Sequence, residues 1–146
     1  MAVEPLGCPH RSWRVEFTMT TSLMHAVLAA KACDYFRGKD IVVLDLTPIT
    51  AIFDYFIIAT ATSGRQMSAM AEEVHRAMKE VGSQRYGIEG KKSESWVLQD
   101  YGNIVLHVFS EEARGIYDLE HLWGDSKRVD WQALVAELPV METAEI

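Results

Sequence analysis

The chain has 146 residues, of which 49% are hydrophobic and 24% charged, values typical of one soluble globular domain and unlike those of a disordered chain. Acidic residues outnumber basic ones 21 to 14, and the net charge of -7 argues against a general nucleic-acid binder, which needs Lys and Arg for phosphates. The two cysteines form neither a disulfide framework nor a metal knuckle, and no apolar run approaches the roughly 18 residues of a membrane span. We therefore expect a cytoplasmic protein in a reducing compartment, without membrane association.

Negative charge is concentrated toward the C-terminus. Residues 1–93 carry 11 basic and 10 acidic side chains, whereas residues 94–146 carry 3 basic and 11 acidic ones. This acidic half is either a solvated face or a surface for a basic partner, where it would speed association and select that partner. The composition leaves both interpretations open.

Residues 1–21 differ from the rest of the chain. Proline and glycine interrupt any helix there, and the segment lacks the apolar run of a secretory signal, so we expect a poorly ordered N-terminal extension. We predict one domain over residues 22–125. Residues 126–146 are expected to form a C-terminal amphipathic tail.

The predicted domain begins with a helix over residues 22–36, whose apolar positions recur at helical spacing. Two apolar runs rich in β-branched residues, 41–44 and 55–60, predict buried strands. A second helix begins after Ser63, which forms a capping box with Gln66. The methionines of this helix follow the same spacing and are expected to lie in the core.

The second half of the domain predicts a short strand at residues 86–88 and a hairpin whose strands, 96–101 and 104–109, are joined by a Gly-Asn turn. Ser110 then caps a third helix. The apolar side of that helix is expected to comprise Ala113, Ile116, Tyr117, Leu119, Leu122 and Trp123. This order of elements predicts an α/β fold, a single small sandwich with helices packed on a mixed β-sheet.

No constellation of residues predicts a metal site, a cofactor site or catalysis. The five histidines include no pair at i,i+4 spacing, and the chain contains neither a C-x-x-C motif nor a glycine-rich phosphate loop. Asp45 and Asp54 stand singly, without the paired carboxylates that nucleotidyl transfer needs for its cations. Residues 63–65 join a strand to a helix N-terminus, where they either bind an anion or only cap the helix.

One face of the first hairpin strand remains as a candidate binding surface. Strand alternation places Trp96, Leu98 and Asp100 on one face, and Val97, Gln99 and Tyr101 on the other. Tryptophan and charged residues on an uncovered sheet face are typical of interface hot spots. An equally good interpretation places the tryptophan in the core, under the third helix.

Several segments, in order over about two-thirds of the chain, resemble the ribosomal silencing factor family (RsfS, also called Iojap-like). The matching segments are KDIVVLDL (39–46), DYFIIAT (54–60), ATSGRQ (61–66), GIEG (87–90), Ser93, Trp96, DYGN (100–103), HVF (107–109) and RGIYDLEHLW (114–123). The resemblance implies a nucleotidyltransferase-like fold without the catalytic carboxylate pair, and no enzymatic activity.

The resemblance also implies a partner, the large ribosomal subunit, bound through ribosomal protein L-fourteen. Occupying that site would block joining of the small subunit and repress translation. The contact surface would comprise Trp96 as the desolvated anchor, Asp100 facing a basic side chain, and Tyr101 as a flanking contact. It implies no sequence-specific nucleic-acid binding.

Two other functions stay open at this point. One is a factor for assembly of the large ribosomal subunit. The other is a nucleotidyltransferase-like enzyme that would use Asp45, Asp54 and the turn at residues 63–65. The sequence does not determine whether the free protein forms a homodimer.

Overall fold

The computed structural model describes residues 19–138, and a six-stranded sheet lies at its centre. The strands are β1 (Lys39–Asp45), β2 (Tyr55–Ala61), β3 (Gly87–Glu89), β4 (Trp96–Asp100), β5 (Ile104–Ser110) and β6 (Lys127–Val129). The helices are α1 (Thr21–Tyr35), α2 (Gly64–Glu80), α3 (Glu111–Tyr117), α4 (Leu119–Leu122) and α5 (Trp131–Val135). Residues 1–18 of the expected extension and residues 139–146 of the expected tail lie outside the described residues.

Strands β2 and β5 pair in parallel at the centre of the sheet, and antiparallel pairs extend it on both sides in the order β3-β4-β5-β2-β1-β6. Every residue of β2 is buried, because both faces of the sheet are covered there. The expected α/β fold, with helices on a mixed sheet, is confirmed. Among the described helices, none is long and apolar enough to cross a membrane.

Helices α1, α2 and α5 pack on one face of the sheet, which we call the helix-side face. Met67, Met70 and Met78 of α2 are at most 1% exposed and lie in this core, as their helical spacing predicted. Cys33 of α1 is fully buried, and burial raises the pKa of its thiol to about 12. It therefore packs as a small apolar side chain.

The sheet continues past the predicted end of the domain at residue 125. Strand β6 pairs antiparallel with β1, and α5 follows it. Trp131 of α5 is buried, and its indole N–H donates to the carbonyl oxygen of Ile41 at 3.2 Å. The segment expected as a tail therefore belongs to the same folded unit as far as residue 138, the last one described.

The helix that Ser110 caps is shorter than predicted. The Ser110 Oγ accepts the N–H of Ala113 at 3.1 Å, as expected, but Asp118 adopts a left-handed backbone (φ 45°) that separates α3 from α4. Ile116 of α3 and Leu122 of α4 lie at the surface on either side of this break, where they are 70% and 72% exposed. The expectation of one continuous apolar side was wrong, because it assumed an unbroken helical period.

A tight turn after β3 precedes β4. Gly90 has a φ of 74°, and its carbonyl oxygen accepts the N–H of Ser93 at 2.8 Å. A Cβ on Gly90 would overlap the carbonyl oxygen of Trp96. The turn therefore requires glycine both for its left-handed backbone and for its missing side chain.

We predict that Gly90→Ala destabilises the protein more than Gly82→Ala does. Gly82 follows the C-cap of α2 with a φ of 79°, and among the described residues no atom beyond its two chain neighbours lies within 4 Å of the position its Cβ would take. Gly82→Ala should therefore cost only the left-handed backbone strain, about 1–2 kcal/mol. Gly90→Ala adds an overlap with backbone, and we expect at least ~1 kcal/mol more.

Urea unfolding of the two variants and the wild type, followed by far-ultraviolet circular dichroism, measures this difference. Equal losses of unfolding free energy would show that the backbone around Trp96 yields to a methyl group at no cost.

Candidate partner-binding surface

Strand β4 presents alternate side chains to the two faces of the sheet. Val97 and Gln99 point to the helix-side face and are buried, whereas Trp96, Leu98 and Asp100 lie on the opposite face and are partly exposed. We call this opposite face of β4 the outer face. Helix α3 lies on the same side of the sheet but packs mainly over β5 and β2, so that the outer face stays accessible.

Trp96 is the largest side chain of the outer face, and its neighbours hold it in one orientation. Its ring centroid lies 4.9 Å from that of Phe109 and 4.6 Å from that of Tyr117. Its indole N–H donates to Nδ1 of His107 at 3.2 Å. Packed on one side and accessible on the other, Trp96 combines the two positions that the sequence left as alternatives.

His107, on β5, is the hydrogen-bond acceptor beneath this tryptophan. It is 4% exposed, and burial lowers the pKa of its imidazole from 6.5 to about 3. The ring is therefore neutral, and because Nδ1 accepts the indole N–H, its proton is on Nε2. His107 therefore has a structural, hydrogen-bonded role beneath the tryptophan.

Asp100 lies at the end of β4, where the hairpin turns. Its Oδ1 accepts the N–H of Gly102 at 2.8 Å, which stabilises the turn and leaves the carboxylate partly exposed. Glu89 of β3 is the cross-strand partner of Leu98, and cross-strand partners lie on the same face. The outer face is therefore both aromatic and acidic.

Tyr101 occupies a different position from the one expected. It is 3% exposed and packs in the helix-side core, where its hydroxyl donates to Oε1 of Gln99 at 2.7 Å. Nδ1 of His75 lies 3.3 Å from the same hydroxyl. Tyr101 therefore supports the hairpin from inside, and Trp96 and Asp100 remain as the accessible pair.

Tyr117 is the surface residue that the sequence did not identify. The helical pattern placed it on the buried side of the third helix, but it is 52% exposed and packs against Trp96 at the last residue of α3. The aspartate that follows it is one of the few residue types that tolerate a left-handed backbone, and this was the only local signal of the break.

The residues of the alternative enzyme site do not come together. Asp45 and Asp54 flank the beginning of β2, and residues 63–65 follow its end, so the seven-residue strand separates them by about 20 Å. The Asp45 carboxylate accepts hydrogen bonds from Thr47, and the Asp54 carboxylate accepts one from the Ser22 hydroxyl at 2.7 Å. Across residues 19–138, no group of three or more His, Cys, Asp or Glu side chains could hold a metal ion.

The turn at the start of α2 is occupied by its own hydrogen bonds. The Ser63 Oγ accepts the N–H of Gln66 at 3.1 Å, as the capping box predicted. The Gln66 Oε1 accepts the N–H of Thr62 instead of that of Ser63, and its Nε2 donates to the carbonyl oxygens of Phe36 and Arg37. The turn thus caps α2 and ties it to the end of α1, which favours the capping interpretation over an anion site.

Comparison with known proteins gives a consistent picture. Residues 19–145 match the family described as "Ribosomal silencing factor during starvation". The ribosomal silencing factor RsfS of Chromobacterium violaceum is 43% identical over 100 residues, which is 68% of this chain and 82% of that protein. A crystal structure of a protein from the same organism superimposes with a TM-score of 0.69 at 40% identity, covering 72% of this chain and 88% of that one.

A more distant relative carries a different name. The mouse protein "Mitochondrial assembly of ribosomal large subunit protein 1" is 34% identical over 90 residues, which is 60% of this chain and 40% of the mouse protein.

We predict that His107 makes folding stability depend on pH. Its folded pKa of about 3 lies below the ordinary value of 6.5, so between these values the unfolded chain binds a proton that the folded protein does not. Stability therefore falls as the pH drops through this window, by about 2 kcal/mol between pH 7 and pH 5. His107→Asn keeps an acceptor for the Trp96 indole but does not titrate. Between pH 7 and pH 5, the unfolding free energy of this variant should therefore fall by about 2 kcal/mol less than that of the wild type.

Urea unfolding at pH 7 and pH 5 measures the difference. The control is His121→Asn, which replaces a histidine whose side chain is 86% exposed and should keep the full wild-type dependence. A wild-type dependence retained in His107→Asn would mean that this ring is protonated in the folded protein.

Proposed function

The chain belongs to the ribosomal silencing factor family, and we propose that it binds the large ribosomal subunit through ribosomal protein L-fourteen and blocks joining of the small subunit. The observation that carries this proposal is the outer face of β4, with Trp96 fixed at one end of the strand and the Asp100 carboxylate at the other. The protein would act by occupying the joining surface and would need no chemical step.

The tryptophan suits the role of an interface anchor. Buried aromatic residues near the centre of an interface contribute most of its binding energy, and a side chain already fixed loses little conformational entropy on binding. Trp96 is fixed by Phe109, Tyr117 and the His107 hydrogen bond before any partner arrives. Tyr117, half exposed beside it, extends the apolar surface.

The charges of the surface suit a basic partner. Asp100 and Glu89 lie on the outer face, and residues 94–146 as a whole carry 11 acidic and 3 basic side chains. Opposite charges across an interface speed association and exclude partners of the wrong sign. This complementarity supports a ribosomal protein as the main contact.

Assembly of the large subunit is a second candidate function. The mouse relative's name refers to such assembly, and one surface on the large subunit can serve both purposes. Precursor particles that accumulate after deletion, while purified mature subunits join normally in the presence of the protein, would favour assembly over silencing.

Sedimentation tests the main proposal. We expect the purified protein to migrate with separated large subunits on a sucrose gradient, and to reduce the amount of joined ribosomes when small subunits are added. Its absence from the large-subunit fraction at moderate salt would overturn the proposal, and binding without loss of joining would leave only the assembly function.

We predict that the charge of Asp100 is needed for this binding. Asp100→Asn keeps an oxygen acceptor for the Gly102 N–H but removes the charge, so folding stability should stay near wild type. Binding should weaken at least tenfold, about 1.4 kcal/mol. Asp100→Lys reverses the charge and should abolish binding, while the lost turn hydrogen bond lowers stability by only about 1 kcal/mol.

The control is Asp34→Lys, the same charge reversal at an exposed position of α1 on the helix-side face. Affinity for large subunits measured by pelleting, and unfolding free energy measured in urea, separate the two effects. Wild-type affinity in Asp100→Asn would remove this carboxylate from the interface.

A further inference from the structure

A small pocket with positively charged walls lies on the helix-side face, behind the outer face of β4. It has a volume of about 170 Å³ and is formed by α2, β3, β4 and the residues on both sides of β3. Arg85, Lys91 and Lys92 line it, and Glu72 is the one carboxylate among its lining residues. In a chain with a net charge of -7, such a concentration of cations is unusual.

The floor of the pocket is rigid and polar. Gln99 is 1% exposed, and its amide donates to the carbonyl oxygen of Ala71 and accepts the hydroxyl of Tyr101. His75 lines the side, and its pKa is lowered by burial first and then by the positive charges of Arg85 and Lys79. Of the cations that line the pocket, Arg85 therefore acts on this ring, against the opposite effect of Glu72.

The size of the pocket restricts its ligand. Sites for drug-sized molecules and cofactors span roughly 300–1,000 Å³, whereas a water molecule takes about 30 Å³ of liquid. A pocket of about 170 Å³ holds one phosphate group and a few waters, but not a whole nucleotide. The pocket is surrounded by two exposed lysines and a partly buried arginine, which would attract an anion. Its size and charge therefore suit one phosphodiester group of a polymer that lies mostly outside the pocket.

The cationic lining and the proposed partner, a subunit that contains RNA, together indicate which polymer. β3 and β4 form a ribbon at the edge of the sheet, with Asp100 and Glu89 on its outer face and the pocket on its other side. The pocket lies beside β3, the edge strand of the sheet, so a polymer that passes this edge can reach it. We propose that the pocket takes a backbone phosphate of ribosomal RNA, an inference that rests on the proposed binding to the large subunit.

The salt dependence of large-subunit binding tests this proposal. Each phosphate contact contributes about 0.7–0.9 to the slope of log affinity against log salt. Lys91→Glu/Lys92→Glu should therefore bind large subunits more weakly and with a slope smaller by about 1. Its affinity for isolated ribosomal protein L-fourteen should equal that of the wild type, because the outer face is unchanged.

The matched control is Lys39→Glu/Lys127→Glu, an equal charge reversal of two exposed lysines at the β1–β6 edge of the sheet. It should keep the wild-type slope. The proposal is overturned by an unchanged slope in the Lys91/Lys92 variant, by an equal change in the control, or by an equal loss of affinity for isolated L-fourteen, which would make the pocket part of the protein contact.

A direct titration separates this proposal from the proposed function. In nitrogen-15 spectra at low salt, an eight-nucleotide uridine RNA should shift the backbone amides of Arg85, Lys91 and Lys92 in the wild type and leave the Lys91→Glu/Lys92→Glu variant unchanged. Inorganic phosphate at equal charge should cause smaller shifts at the same amides. If RNA does not shift these amides in the wild type, the proposal that the pocket binds phosphate is overturned, whatever the sedimentation result. If RNA shifts them but the protein does not bind large subunits, only the assignment of the phosphate to ribosomal RNA is overturned.

Discussion

The parallel pairing of β2 with β5 is the interaction on which the rest of the structure depends. Parallel neighbours need a long crossover, and here the crossover contains α2, β3 and β4. Helix α2 covers the helix-side face, and β4 must then return antiparallel beside β5. The sheet therefore gains an edge ribbon whose inner face is packed by a helix and whose outer face has only the short α3 nearby. Both proposed contacts lie on this ribbon.

Local patterns predicted local features well. The helix caps at Ser63 and Ser110, the methionine core of α2 and the two-residue hairpin turn follow from spacing over a few residues. Strand order could not be predicted, because it depends on which distant strands pair. Strand β6 was missed because three residues that begin Lys-Arg show no apolar alternation, and it is the pairing with β1 that makes them a strand.

For the binding surface too, local patterns predicted some residues correctly and missed others. Alternation along β4 placed Trp96 and Asp100 on one face, and the structure agrees. The same alternation placed Tyr101 on the other face, so its expected contact role, which came from the family resemblance, disagreed with the residue pattern from the start. The exposed position of Tyr117 was missed for a different reason. The left-handed residue Asp118 ends α3, whereas the hydrophobic periodicity predicted a helix that continues past it. Single-residue breaks of this kind leave little trace in a pattern that averages over several turns.

The two sides of the β3–β4 ribbon have opposite charge, and this separation has a consequence for specificity. With a net charge of -7 the protein is repelled by RNA in general, so one cationic pocket binds arbitrary RNA only weakly and at low salt. Once the outer face is docked on a basic protein, a phosphate next to the pocket is present at high effective concentration, and even a weak contact then slows dissociation. A factor that acts by occlusion needs this property above all, because a partner is excluded only for as long as the factor stays bound. The outer face of the β3–β4 ribbon would then select the partner, and the pocket on its other face would lengthen the residence time. Each face can be altered by substitution without changing the other.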